Sequence, residues 1–169
     1  MKTADLLADA FGRIQEVVRE AVDGLTRDQL ALRIDPEANS ISWLVWHLAR
    51  VQDDHVAGAF GLPQVWTEQG WAKRFALPLA DPDIGYGHSP AEVGQVELAA
   101  DELLGYFDAV HAQTLGAVSA VTEDDLERVV DANWDPPVTL GVRLVSVISD
   151  DLQHAGQAAY LRGHVERER

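Results

Sequence analysis

The sequence predicts an all-α protein, a four-helix bundle with one extended connection between its second and third long helices. Four stretches repeat apolar residues at alternating threes and fours, the period of a helix with one buried face. No segment alternates polar and apolar residues for long enough to make a strand of consequence. Between the second and third stretches, Gly61 to His88 carries Pro63, Pro78 and Pro82 and no sustained period, the pattern of a crossover or a functional lid.

The first helix is expected from Ala4 to Val22, with Leu7, Phe11, Ile14, Val18 and Ala21 on one face and Gly24 as its stop. Thr26-Arg-Asp-Gln29 resembles a capping box and predicts a short helical turn ahead of Asp35-Pro36. Asn39 and Ser40 are good caps for the second long helix, whose apolar arc runs through Ile41, Leu44, Leu48, Val51 and Ala59 to a stop at Gly61-Leu-Pro63. In the connection that follows, Trp66, Trp71 and Phe75 supply enough apolar surface to pin the loop or to cover something. Ser89-Pro90 with Glu92 reads as the start of a third helix, continuing through Val93, Val96, Ala100, Leu103, Phe107, Val110 and Val118 to about Val121. His111 lies beside that stripe and reads as a packing or surface residue. A short turn at Thr122 to Asp125 and the breaker Trp134-Asp-Pro-Pro137 precede the fourth helix, Thr139 to Gly163.

A chain of 169 residues, 47% of them hydrophobic, fits a single domain over residues 1–169 with a sizeable core. Its formal net charge of −15, from 28 acidic against 13 basic residues, argues against nucleic acid or an anionic membrane as partner. With no cysteine, disulfides, thiolate ligands and a protein-borne thiol nucleophile are all excluded, so any thiol chemistry needs a thiol from outside. The first residues carry acids and glycine where a signal peptide needs an unbroken apolar run, so a cytoplasmic location is expected.

Chemistry concentrates on the fourth helix. At about 100° per residue, Leu140, Val147, Ala158 and Leu161 lie within roughly 40° of the direction of His154, and Asp150 lies one turn below it. A carboxylate and an imidazole turned from water together are costly unless something pairs with both, and a divalent cation does so. Two ordinary readings compete: Arg143 could answer Asp150, or Asp150 could stay solvated at the stripe's margin. The second helix offers the third donor: His47 sits with Trp43 and Asp54 on the flank of its arc, His55 points nearly into the middle, and either could reach the bundle interior. With His47 the set becomes two imidazoles and one carboxylate. Structural zinc is normally closed by four protein ligands, whereas three leave a position open for water or substrate; the same donors suit iron, nickel or manganese.

Two runs carry a resemblance: Asn39-Ser-Ile-Ser-Trp-Leu-Val-Trp-His47 and Asp150-x-x-x-His154-x-Gly156-Gln157. With the long connection, they resemble the DinB-like superfamily of metal-binding four-helix bundles, in the branch related to mycothiol-dependent maleylpyruvate isomerase and the mycothiol transferases. The resemblance covers nearly the whole chain. It implies that His47 and His154 hold a divalent metal, zinc or nickel in most members, with Asp150 standing where many members have histidine and the isomerase has glutamate. It also implies that Gly156 and Gln157 serve close packing and hydrogen bonding behind the ligands. The isomerase carries a further C-terminal domain for thiol and substrate, so its particular activity is not expected of this bundle.

The function expected is therefore a metal-dependent S-transferase or isomerase that uses a low-molecular-weight thiol such as mycothiol and a small electrophilic substrate. Asp54 and His55 are candidates for proton transfer or support of the site, and a homodimer through exposed helix faces fits the fold. A metal-binding protein without turnover, stress-associated or structural, and a metal-dependent hydrolase would use the same residues.

Overall fold

A computed structural model describes residues 1–167, and it is built from four long helices. These are α1 (Thr3–Val22), α3 (Ile41–Phe60), α7 (Ala100–Val118) and α8 (Leu140–Arg167), with short helices α2 (Arg27–Ala31), α4 (Val65–Glu68), α5 (Trp71–Phe75) and α6 (Pro90–Val93) between them. α3 packs against α8 and α7, and α1 packs against the same two helices, so α1 and α3 lie diagonally across the bundle.

The first half follows the expected pattern. α1 buries Leu7, Phe11, Ile14, Val18 and Ala21. Thr26 caps α2 by accepting from Gln29 N, and the Gln29 side chain returns the bond to Thr26 N. Ser40 Oγ accepts from Trp43 N at 3.1 Å, and α3 ends at Gly61 in the left-handed conformation. α3 is buried without interruption from Ile41 to Asp53. An apolar arc on one side of such a helix understates its position: it is the central element, and its polar residues must be satisfied inside the protein.

The third helix differs from expectation. Instead of running from Ser89 to about Val121, it breaks into the single turn α6 and the long α7, with an extended stretch between. Two local caps compete with continuity. Glu92 closes a box with Ser89 at α6, and Glu102 accepts from Ala99 N at 2.8 Å to start α7 afresh. Between them Leu98 N donates to Ser42 Oγ at 3.0 Å, and Val96 and Leu98 are buried. The apolar spacing runs through the break because these residues reach the core from extended backbone.

A short antiparallel hairpin, β1 (Val129–Asp131) with β2 (Val138–Thr139), precedes α8, where no strand was expected. Its strands are too short for alternation to show in sequence. The connection after α3 is pinned by its own aromatics: Trp66, Trp71 and Phe75 surround the buried Tyr106 ring at 5.2, 5.8 and 5.9 Å between centroids. No described helix is long and apolar enough to cross a membrane.

Candidate metal centre

The inner line of α8 runs through Leu140, Leu144, Val147, Asp151, Ala155 and Ala158. His154 and Asp150 therefore stand one position to the side, half-buried and turned toward α3, and not at the centre of the stripe as the helical wheel suggested. There they meet His47. One ligand atom from each of His47, Asp150 and His154 lies within 4.8 Å of the others. His154 Nε2 is 3.7 Å from Asp150 Oδ1, and the two imidazole centroids are 4.9 Å apart at 72°.

The ring tautomers are set from behind. His47 Nδ1 bonds the Ile84 carbonyl, which can only accept, so the proton sits on Nδ1 and the Nε2 lone pair is free. His154 Nδ1 pairs with Gln157 Oε1 at 2.9 Å, which fixes the same tautomer. Such partners orient a ligating histidine and raise its basicity. Burial pushes the His47 imidazole below its ordinary pKa, with the nearby His154 adding to the effect and Ile84 and Asp150 opposing it, so the ring favours the neutral, ligating form. Asp150 Oδ2 is buried with no hydrogen-bond partner. Of the two competing readings for Asp150, pairing with Arg143 fails because Arg143 instead bonds Asp131 on the hairpin at 3.1 Å, and solvation at the stripe's margin does not reach Oδ2, which is buried. Two free imidazole lone pairs and an unanswered carboxylate oxygen fit a divalent cation.

Residues 83–88 form the wall behind His47. Gly85 has φ +98, and a Cβ there would meet His47 Nδ1 at 2.6 Å. Trp43 stacks on the His47 ring at 4.6 Å and 14°, and its Nε1 donates to His88 Nδ1 at 3.0 Å. His88 Nε2 then donates to Asp83 Oδ2 at 2.9 Å, while Asp83 Oδ1 accepts from Gly85 N at 2.8 Å. Burial raises the Asp83 carboxyl, but the His88 and Gly85 bonds outweigh it and hold its pKa below the usual range. Arg50, wholly buried, donates from Nε to the Asp83 carbonyl and from Nη1 to Gln64 and Tyr106. Asp53 completes this cluster by accepting from Tyr106 and from the backbone N–H groups of Val65 and Trp66, each at 2.8 Å. Thus one buried network ties the connection after α3 to the ring of His47.

Some expectations need correction. Gly156 is exposed and a Cβ there meets nothing within 4 Å, so it serves no close packing, whereas Gln157 does support His154. His55 is half-buried, hydrogen-bonded to Asp54, and outside the three-residue cluster. His111 is a packing residue, stacked on Phe107. Sequence reasoning missed Asp83, Ile84, His88 and the Arg50–Asp53 pair; the signal available was Gly85, a glycine two residues past an aspartate in a loop otherwise unexplained. It also missed Asp151, which is fully buried with both oxygens unpartnered and whose pKa burial raises well above the ordinary carboxylate value.

The fold and the convergence of donors from two facing helices define a class, the DinB-like four-helix bundle. The chain belongs to the mycothiol-S-transferase family, whose family model matches residues 6–166. It is also similar to a solved structure described as a conserved protein from Enterococcus faecalis, at 34% identity and a TM-score of 0.88 over 96% of each chain. No curated protein matches it.

Proposed function

We propose that the protein is a divalent-metal-dependent S-transferase acting with mycothiol or a similar small thiol. The observation that carries this reading is the set of three donors, His47 Nε2, His154 Nε2 and the Asp150 carboxylate, with both Nδ1 atoms already engaged and Asp150 Oδ2 left unanswered. Three protein donors leave room for an outside ligand. A bound zinc, nickel, iron or manganese ion would supply the Lewis acidity that keeps a thiol sulfur deprotonated at neutral pH. The residues' own work is to present lone pairs in fixed tautomers and, through Trp43 and residues 83–88, to screen the His47 side of the site from water.

Cobalt-substituted protein titrated with mycothiol is expected to show a sulfur-to-metal charge-transfer band at one thiol per metal. Metal bound without any such band would favour the hydrolytic reading or a binding protein without turnover, and would overturn thiol transfer.

A homodimer through α8 belongs to the same proposal. Every exposed residue of α8 from Val142 to Tyr160 is uncharged, and Val142, Val145, Leu152 and Tyr160 are exposed hydrophobics on a chain of net charge −15. Two copies repel over most of their surfaces and meet at lowest electrostatic cost along this strip. Sedimentation is expected to find a dimer that Leu152→Glu converts to monomer; a monomeric native protein would contradict it.

A further inference from the structure

Along the seam between α3 and α8, residue numbers run in opposite directions. His47 meets Asp150 and His154, and further along a cavity of about 580 Å³ is lined by Asp54 and His55 from α3 and by Arg143 and Ser146 from α8. Tyr86 and Trp134 form the remaining walls with Asp131. Tyr86 stands between the cavity and the metal cluster: it lines the one and sets its ring edge-on to His47 at 5.5 Å between centroids. At 1.5 Å per residue, His47 and His55 are roughly 12 Å apart along α3. That span accommodates a sulfur at the three donors and a small co-substrate lying under Tyr86 toward His55. The volume is within the range of small-molecule sites.

His55 is not a loose surface group. Its Nδ1 bonds Asp54 Oδ2 at 3.0 Å, and Asp54 Oδ1 is held in turn by Gln64 Nε2 at 2.7 Å. Gln64 is itself fixed by the buried Arg50 at 3.1 Å. A carboxylate fastened on both oxygens fixes the imidazole tautomer with the proton on Nδ1, leaving Nε2 as the atom that takes and returns a proton. His55 and Asp54 are not among the three donors, and only Gln64 and Arg50 link them to the network behind His47.

We infer that the cavity seats the electrophile and that His55, oriented by Asp54, is a catalytic proton-transfer residue for an electrophile whose oxygen gains negative charge as sulfur attacks. The inference rests on the thiol-transfer reading. An epoxide is the simplest such substrate. The thiol proton leaves to solvent as the sulfur settles at the three donors; the sulfur lone pair forms the C–S bond; the C–O bond breaks toward oxygen; and His55, carrying on Nε2 a proton taken from solvent, gives it to that oxygen, so that a hydroxy thioether and neutral His55 result with no net change in protons. No oxidant or further reactant is needed. The other charged or titratable groups facing His55 are Asp54, Tyr86, Asp131 and Arg143, of which Arg143 is already paired with Asp131.

The test compares native protein with His55→Gln and Asp54→Asn, each loaded with metal and supplied with mycothiol, on a simple epoxide and on a haloalkane whose halide departs without a proton. The ratio of epoxide to haloalkane rates is expected to fall about 100-fold in His55→Gln and by less in Asp54→Asn. In ¹⁵N-histidine spectra, which need no turnover, adding the hydroxy thioether product should shift the His55 Nε2 signal. Equal losses on both substrates, an unchanged ratio, or no shift at His55 would each overturn the role of His55. Native protein that binds metal and thiol but transfers to neither electrophile would instead overturn the transferase reading, and the His55 role with it.

Discussion

His154→Ala is expected to reduce divalent-metal binding from one equivalent to none while leaving the protein folded. The side chain of His154 is about one-fifth exposed, at the edge of α8's inner face, so its removal opens no deep cavity and should cost stability on the order of 1 kcal/mol or less. What it removes is one of the three proposed donors, and the two that remain, His47 and Asp150, would not close a tight site for zinc or nickel. His47→Ala should have the same effect on metal, with a larger loss of stability because the ring is buried and stacked on Trp43. His111→Ala should keep its metal. Elemental analysis after dialysis, with thermal melts as the fold control, decides the matter; a His154→Ala protein that retains one equivalent would remove the basis of the proposed chemistry.

Gly85→Ala is expected to weaken metal binding about 10- to 100-fold although residue 85 donates nothing to the metal. Its φ of +98 is a conformation that side chains rarely adopt, and the added Cβ would stand 2.6 Å from His47 Nδ1 and 3.2 Å from the rings of Trp43 and Trp46. Backbone strain and overpacking at such a position each cost about 1–3 kcal/mol. The loop must shift, and the Ile84 carbonyl shifts with it, freeing the His47 ring to rotate or change tautomer. Competition with a chelator of known affinity would measure the loss. Native-like affinity in a folded Gly85→Ala protein would show that the wall behind His47 does not orient it.

The long helices were legible because their signals are local: the threes and fours of α1, the Thr26 box and the Ser40 cap each act within a few residues. The break between α6 and α7 was hidden because Val96 and Leu98 keep the apolar rhythm while their backbone is fixed by a partner far away, Ser42. At the site, helical spacing put Asp150 and His154 on one side of the last helix and left His47 and His55 both open on the second; the family motif pointed to His47, and it is His47 that lies beside the other two. The Ile84 carbonyl could not, since a peptide oxygen has no letter of its own. The two adjacent aspartates on α8 show the limit of the wheel: a turn of about 100° per residue separates a fully buried Asp151 from a half-buried Asp150, and only the packed neighbours decide which is which.

The donor set also fixes an electrical balance. Both imidazoles keep their Nδ1 protons on neutral oxygens, an amide carbonyl of the chain for one and the Gln157 side chain for the other, so neither contributes negative charge. A divalent ion held by two neutral rings and a single carboxylate would carry a residual charge of about +1. An incoming sulfur anion would cancel it, whereas a neutral water would leave it standing in a half-buried site. Had Asp150 been a third histidine, the same anion would leave a surplus positive charge behind; with the aspartate, the proposed ternary assembly would be neutral.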